Sequence, residues 1–277
     1  MAGAPIVDTE PVAGGVRPLP PRRSFARRHE AFLWGGGAVV LTFAIWQACW
    51  SAGWISPLFF TGPSAIWQRF WEDLRHGTLL ADMAYSGRNY IVGFSLALIS
   101  GVALGVVVGW YRRAEMILNP FLNALYAIPR VAMIPLIIIW FGIDWKSKVF
   151  IVFMSAFFPI LVNTIGGIKA TDADLLRAAR AFCASDWQIF TTLAIPGAVP
   201  FILTGIRQGV ALGLIGVVVG EMFGGSEGIG FRVAYGGQTF ATDTLFVGVV
   251  IIAFAGILLT AIAERLERHF SRWRPER

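Results

Sequence analysis

Arg130 and Arg207 stand deep in long apolar stretches, ten residues beyond Pro120 and eleven beyond Pro196, or about 15 Å along a helix in each case. An arginine in a membrane-spanning helix costs at least about 2.5 kcal/mol to insert, so it must face other helices or a wet cavity. One chemistry that fits is reception of an anionic substrate by the guanidinium forks. The other is internal: the arginines satisfy backbone carbonyls freed near the prolines, or reach the acidic Glu221. Together with Pro135, these residues make up the candidate substrate pathway. Other chemistries lack their side chains. His29, His76 and His269 lie in tails or loops without a second ligand at metal spacing, and the apolar runs contain no aspartate, which argues against a metal site, an intramembrane protease or a carboxylate proton relay. No GxxxxGKS or GxxxxGKT loop is present to cradle a nucleotide phosphate. Cys49 and Cys183 are too few and too far apart for a bridge or a metal. No catalytic residue, cofactor or metal is expected on this chain.

The elements that position these residues follow from composition. With 56% hydrophobic and 14% charged residues and a mean hydropathy of +0.65, the chain cannot cover a soluble globule. Runs at about 31–50, 88–110, 118–141, 148–167, 199–222 and 244–263 each approach the roughly 20 residues that span a bilayer core. None alternates as a barrel strand does, so an all-α bundle of six spans is expected. Residues 1–30 read as a flexible basic tail and 265–277 as a basic C-terminal tail, flanking a membrane domain over 31–264. Arg17, Arg22, Arg23, Arg27 and Arg28 at one end, and Arg265, Arg268, Arg272, Arg274 and Arg277 at the other, place both termini in the cytoplasm by the positive-inside rule. The net charge of +6 is mostly this topology signal; it needs no nucleic acid, although the basic tails can meet anionic lipid.

By the same rule the segment 168–197 is cytoplasmic. Within it, "DADLLRAARAFCASDWQIFTTLAIPG" interrupts the apolar runs. Asp172 or Thr171 can cap a short helix whose apolar side holds Leu175, Leu176, Ala179 and Phe182, with Arg177 and Arg180 on another face. Ser185 and Gln188 form a capping box that opens a second helix, and Pro196 and Pro200 mark its passage into span five. Such a hairpin is either a docking element or a plain connector.

Three further patterns carry structure. Ser64 is placed to cap a helix with Ile66, Trp67, Phe70, Trp71 and Leu74 on one stripe and Arg69, Glu72, Asp73 and Arg75 opposite, suited to the outer interface or to packing on outer loops. Gly101, Gly105 and Gly109, then Gly209 and Gly213, then Gly216 and Gly220, recur at the spacing that lets helices approach closely in lipid. The string "GVAL" occurs in both sets, from duplication or chance. Pro129 and Pro135 predict a bend or local unwinding in span three.

At these residues the sequence resembles the permease subunits of binding-protein-dependent ABC importers. Their cytoplasmic signature, a Glu-Ala-Ala stretch with a glycine six residues after the glutamate and an Ile-x-Leu-Pro ending, aligns with Arg177, Ala178, Ala179, Cys183 and Leu193 to Pro196. "GPSAIW", "SGRNYIVGF", "AIPRVAMIPLIIIWFGI", "SKVFIVFMSAFFPILVNTIGGI", "IPGAVPFILTGIRQG" and "GEMFGGSEGIG" are similar to the nitrate, sulfonate, taurine and bicarbonate branch, and cover about residues 55–262 in unbroken order. The resemblance implies a methionine-importer-like (type I) fold in the bacterial inner membrane and a homodimer. Two ATPase subunits carrying ATP and Mg and one periplasmic or lipid-anchored binding protein would complete the importer. It makes Leu176, Arg177, Ala178, Ala179, Arg180, Phe182, Cys183, Ser185, Trp187, Ile195 and Pro196 the ATPase-coupling residues. Arg177 in place of the acid points to a different partner charge, or to contact through Arg180. Cys183 in place of glycine predicts a turn of another geometry. The competing reading is a secondary transporter driven by an ion gradient, which requires paired carboxylates or unwound sites in matching halves.

Overall fold

Apolar runs must satisfy every backbone group internally in lipid, and the computed structural model, which describes residues 25–54 and 56–270, is helical with no strand among them. Two compact units divide the chain, Met1–Ala48 and Cys49–Arg277. The first contains most of α1 (Phe25–Ser51). The second contains α2 (Pro63–His76), α3 (Leu79–Trp110), α4 (Arg112–Ala127), a 3-10 turn (Arg130–Met133), α5 (Ile134–Phe141) and α6 (Trp145–Lys169). It continues through α7 (Ala173–Ala181), α8 (Asp186–Ile189), a π-helical turn (Phe190–Ala194), α9 (Ile195–Gly224), α10 (Ile229–Gln238) and α11 (Thr242–Phe270).

Among the described residues four helical runs, Leu79–Trp110, Trp145–Lys169, Asp186–Gly224 and Thr242–His269, are long and apolar enough to cross a membrane, and the bent pair Arg112–Ala127 with Arg130–Phe141 makes five if it is one span. The run expected over 31–50 is helical within α1. Helix begins at Phe25, within the first expected tail, and runs to Phe270, within the second. The side chains of Arg27 and Arg28, and all of Arg17, Arg22, Arg23, Arg272, Arg274 and Arg277, lie outside the described residues.

The central helix is α6, flanked by α3 and α9, with Val152, Ala156, Ile160 and Leu161 at its buried heart. Both flanking helices approach it on glycines. A Cβ on Gly105 of α3 would lie 2.6 Å from the Thr164 Cβ, and one on Gly216 of α9 would lie 2.7 Å from the Ser155 Oγ. Gly101 and Gly209, which open the two "GVAL" strings, share a packing role against α6: a Cβ on either would lie 3.1 and 3.0 Å, respectively, from the Ile160 side chain. Gly105→Val is expected to destabilise the bundle by about 1–3 kcal/mol, read as a lower thermal midpoint in detergent. Gly87→Ala, with nothing within 4 Å of the added Cβ, serves as the neutral control.

The expected bend in span three is a full break. Ile128 and Pro129 are extended, the chain turns by 88°, and Pro135 is the second residue of α5, in the first turn, whose N–H groups have no partner within the helix. The expectation for α2 needs two corrections. Gly62 is the N-cap and Pro63 the first residue, so Ser64 lies inside the helix. The face turned inward carries Ile66 with Asp73, while Trp67 and Trp71 are exposed. The carboxylate goes inside because the buried Arg232 and the half-buried Arg69 receive it.

Candidate docking segment and translocation cavity

The segment 168–197 is a capped hairpin. Asp172 caps α7, its carboxylate accepting from the Asp174 N–H at 2.8 Å. Ser185 and Gln188 form the expected capping box of α8. Between them the turn is a Schellman motif: the Ala184 N–H donates to the Ala179 carbonyl and the Cys183 N–H to the Arg180 carbonyl, each at 3.0 Å. Cys183 sits at its left-handed position with φ +53°. The turn thus keeps the geometry that glycine favours, contrary to the expectation of another, and the cysteine bears the steric cost. Cys183→Gly is expected to stabilise the hairpin by about 1 kcal/mol, seen as roughly fivefold slower hydrogen exchange at the Ala184 amide.

No residue of α7 is buried. Leu176 and Ala179 are half-buried, and Arg177 pairs with Asp174 on the same helix. Ala178, Arg180 and Ser185 are exposed, as are Leu175, Phe182 (88%) and Trp187 (70%). Of the apolar side read from the sequence, Leu176 and Ala179 are thus partly covered while Leu175 and Phe182 are open. At its far end the hairpin is firmly seated: Ile168, Ala194 and Ala198 form a buried cluster against Trp110, Phe190 and Ile195, and the Trp110 and Phe190 rings lie 4.9 Å apart. Pro196 stands at the start of α9. The π-helical turn that joins α8 to α9 left no sequence signal.

A cavity of about 470 Å³ opens between the broken span, α6 and α9, lined by Tyr126, Pro129, Arg130, Ser155, Gly216 and Val219 among others. The Arg130 guanidinium lies 5.8 Å from the Tyr126 ring centroid and 5.7 Å from that of Phe158, and pairs with no carboxylate among the described residues. One cation set in mostly apolar walls can bind an anion that carries an apolar body.

The other expected pathway residues are elsewhere. Arg207 pairs with Glu267 of α11 at 3.1 Å. It cannot reach Glu221, fourteen residues and about 21 Å further along α9. Glu221 is fully buried, accepting from the Ser86 hydroxyl at 2.8 Å, the Gly230 N–H at 3.0 Å and the Asn89 amide at 3.4 Å. Pro135, the second residue of α5, is outside the cavity lining, which its neighbour Ile134 joins.

Sequence reasoning missed the buried charges that hold these elements together. Arg232 of α10 pairs with Asp73 of α2 and with Asp82 of α3 at 3.2 Å, and donates to Thr78. Arg69 approaches Asp73 at 3.2 Å, and the Gly228 N–H donates to Asp82 at 3.0 Å. Lys148 is fully buried and donates to the Ile143 and Gly224 carbonyls, just beyond α5 and at the end of α9, where a cation complements the helix dipoles. Partners up to 159 residues apart leave no local pattern to find.

Comparison with known proteins agrees with this architecture. Residues 101–274 match the family described as the inner membrane component of binding-protein-dependent transport systems. The chain is 33% identical to SsuC of Bacillus subtilis (strain 168), a permease provisionally assigned to aliphatic sulfonate transport, over 91% of this chain and 92% of that one. It is 29% identical to the taurine transport system permease protein TauC of Escherichia coli (strain K12), over 87% and 89%. In fold it is similar to a chain of the inward-facing MetNI methionine ABC transporter, with a TM-score of 0.61 at 18% identity over 70% of this chain and 96% of that one. The chain belongs to the family of inner-membrane permease components of binding-protein-dependent transport systems.

Proposed function

We propose that this chain is the permease subunit of an ATP-driven importer for a small organic anion, such as a sulfonate, delivered by a binding protein outside the cell. Two copies form the path, two separate ATPase subunits carry ATP and Mg, and the segment 168–197 of the membrane domain 31–264 is the cytoplasmic coupling element between them. Both termini are cytoplasmic, and the basic ends lie beside lipid headgroups. The observation that carries the reading is the hairpin itself, where Phe182 and Trp187 are exposed on short helices with both turns capped and a buried joint to α9. An exposed aromatic on a rigid, solvated lever is suited to fill a partner's pocket and to transmit its motion.

The substrate class rests on the Arg130 cavity and on the relatives that transport sulfonates and taurine by name. No carboxylate lines that cavity, which weighs against coupling to protons or sodium there. Arg130→Ala is expected to slow sulfonate uptake about 10- to 100-fold, the equivalent of a lost charge-assisted contact. Arg207→Ala, remote from the cavity, should transport near the wild-type rate. Uptake by Arg130→Ala at the wild-type rate and selectivity would remove Arg130 from the path.

A further inference from the structure

A second groove runs down the outside of the bundle between α3 and α6. Leu96 and Ser100 of α3 line it opposite Phe150 and Phe153 of α6, and it encloses about 530 Å³. Its depth is apolar, since the Ser100 hydroxyl is committed to the Leu96 carbonyl at 2.6 Å. Its mouth is cationic. Lys146 and Trp145 line it, and one turn above Val92 the Arg88 guanidinium lies 5.2 Å from the Tyr85 ring centroid and 5.5 Å from that of Trp145. Asp144, the acid next to this mouth in sequence, caps α6 through the Trp145 N–H at 2.7 Å. Neither Arg88 nor Lys146 pairs with a carboxylate among the described residues.

Arg88 to Ser100 is twelve residues, about 18 Å of helix, a little over half of a hydrocarbon core about 30 Å thick. The groove therefore reaches from one membrane interface to mid-membrane. We propose that it holds one anionic phospholipid, with the phosphate between Arg88 and Lys146, Trp145 at headgroup level and an acyl chain against Leu96, Phe150 and Phe153. Three features select this occupant: two cations free for a phosphate, an amphipathic ring where the headgroups begin, and an apolar wall as long as one leaflet. On the orientation proposed above the lipid belongs to the outer leaflet; binding itself does not depend on that orientation.

Native mass spectrometry of the full-length permease with phosphatidylglycerol or phosphatidylcholine tests the proposal. The wild type is expected to retain phosphatidylglycerol about tenfold to thirtyfold better, from about 1 kcal/mol per basic residue. Arg88→Gln with Lys146→Gln should erase the preference. Lys146→Gln alone, which leaves Arg88 stacked on its rings, should reduce it about fivefold, and so keeps the test sharp if the double variant folds poorly. Leu96→Trp, which fills the groove, should lower retention of both lipids. Equal retention of the two lipids by the wild type, or an undiminished preference in Lys146→Gln, overturns the proposal. So does a disulfide between two copies through Leu96→Cys, with Cys49 and Cys183 replaced by serine, because the groove would then be covered by the second protomer.

Discussion

Replacing Phe182 with aspartate is expected to weaken association with the ATPase subunit about 30- to 1,000-fold while the membrane fold persists. Phe182 is 88% exposed, so the folded chain gains almost nothing from its ring. Buried against a partner, an aromatic anchor at the centre of an interface is worth about 2–4 kcal/mol. Aspartate removes that contact and brings a charge into the pocket. Its cost to the permease alone is small, a few tenths of a kcal/mol from a negative charge at the end of α7. Trp187→Asp should act in the same direction with a somewhat larger local cost, because the Trp187 ring lies 5.5 Å from that of Phe190 next to the buried joint. Co-purification with the ATPase, read beside the thermal midpoint of the permease alone, separates the two effects. Full association in both variants would leave the segment 168–197 a plain connector.

The largest loss of stability is expected for Arg232→Ala, about 3–5 kcal/mol. Asp73 and Asp82 are both buried around that guanidinium, and truncating it leaves Asp73 with only the half-buried Arg69 and Asp82 with neutral hydrogen-bond donors in place of a cation. The triple change Asp73→Asn, Asp82→Asn and Arg232→Met should recover much of the loss, since replacing a buried ionic group entirely is far milder than breaking it. Thermal unfolding in detergent measures both. A wild-type midpoint for Arg232→Ala would show that the network joining α2, α3 and α10 contributes little.

What the sequence revealed depended on how local its signals were. Hydropathy placed the long helices because each run carries its own signal, and α6 and α9 extend the expected 148–167 and 199–222 by only a few residues. Of the six spans expected, four, or five with the bent pair, are long and apolar enough to cross among the described residues. Caps and prolines were legible in part: the Ser185–Gln188 box forms as expected and the Pro129 break falls where a donor is missing, whereas Gly62 takes the cap expected of Ser64. Glycine spacing marked α3 and α9 as closely packing helices, but not α6 as the partner they share. By contrast, Asp73 read only as part of a polar helix face, and Asp82 and Arg232 carried no signal, because their partners lie in distant elements. Arg207 misled for the same reason: depth along a run does not say which face a side chain takes, and the Arg207 face meets Glu267 of α11. At Cys183 the residue type argued against the left-handed turn that the chain nonetheless adopts, because the capping bonds on both sides outweigh the local strain of about 1–2 kcal/mol.

The most direct test of the central claim is substrate uptake by vesicles containing the permease, its co-purified ATPase and the binding protein. Uptake that requires ATP on the cytoplasmic side and persists when proton and sodium gradients are collapsed is the predicted result. Uptake without ATP that follows one of those gradients, from a permease with which no ATPase co-purifies, would contradict it.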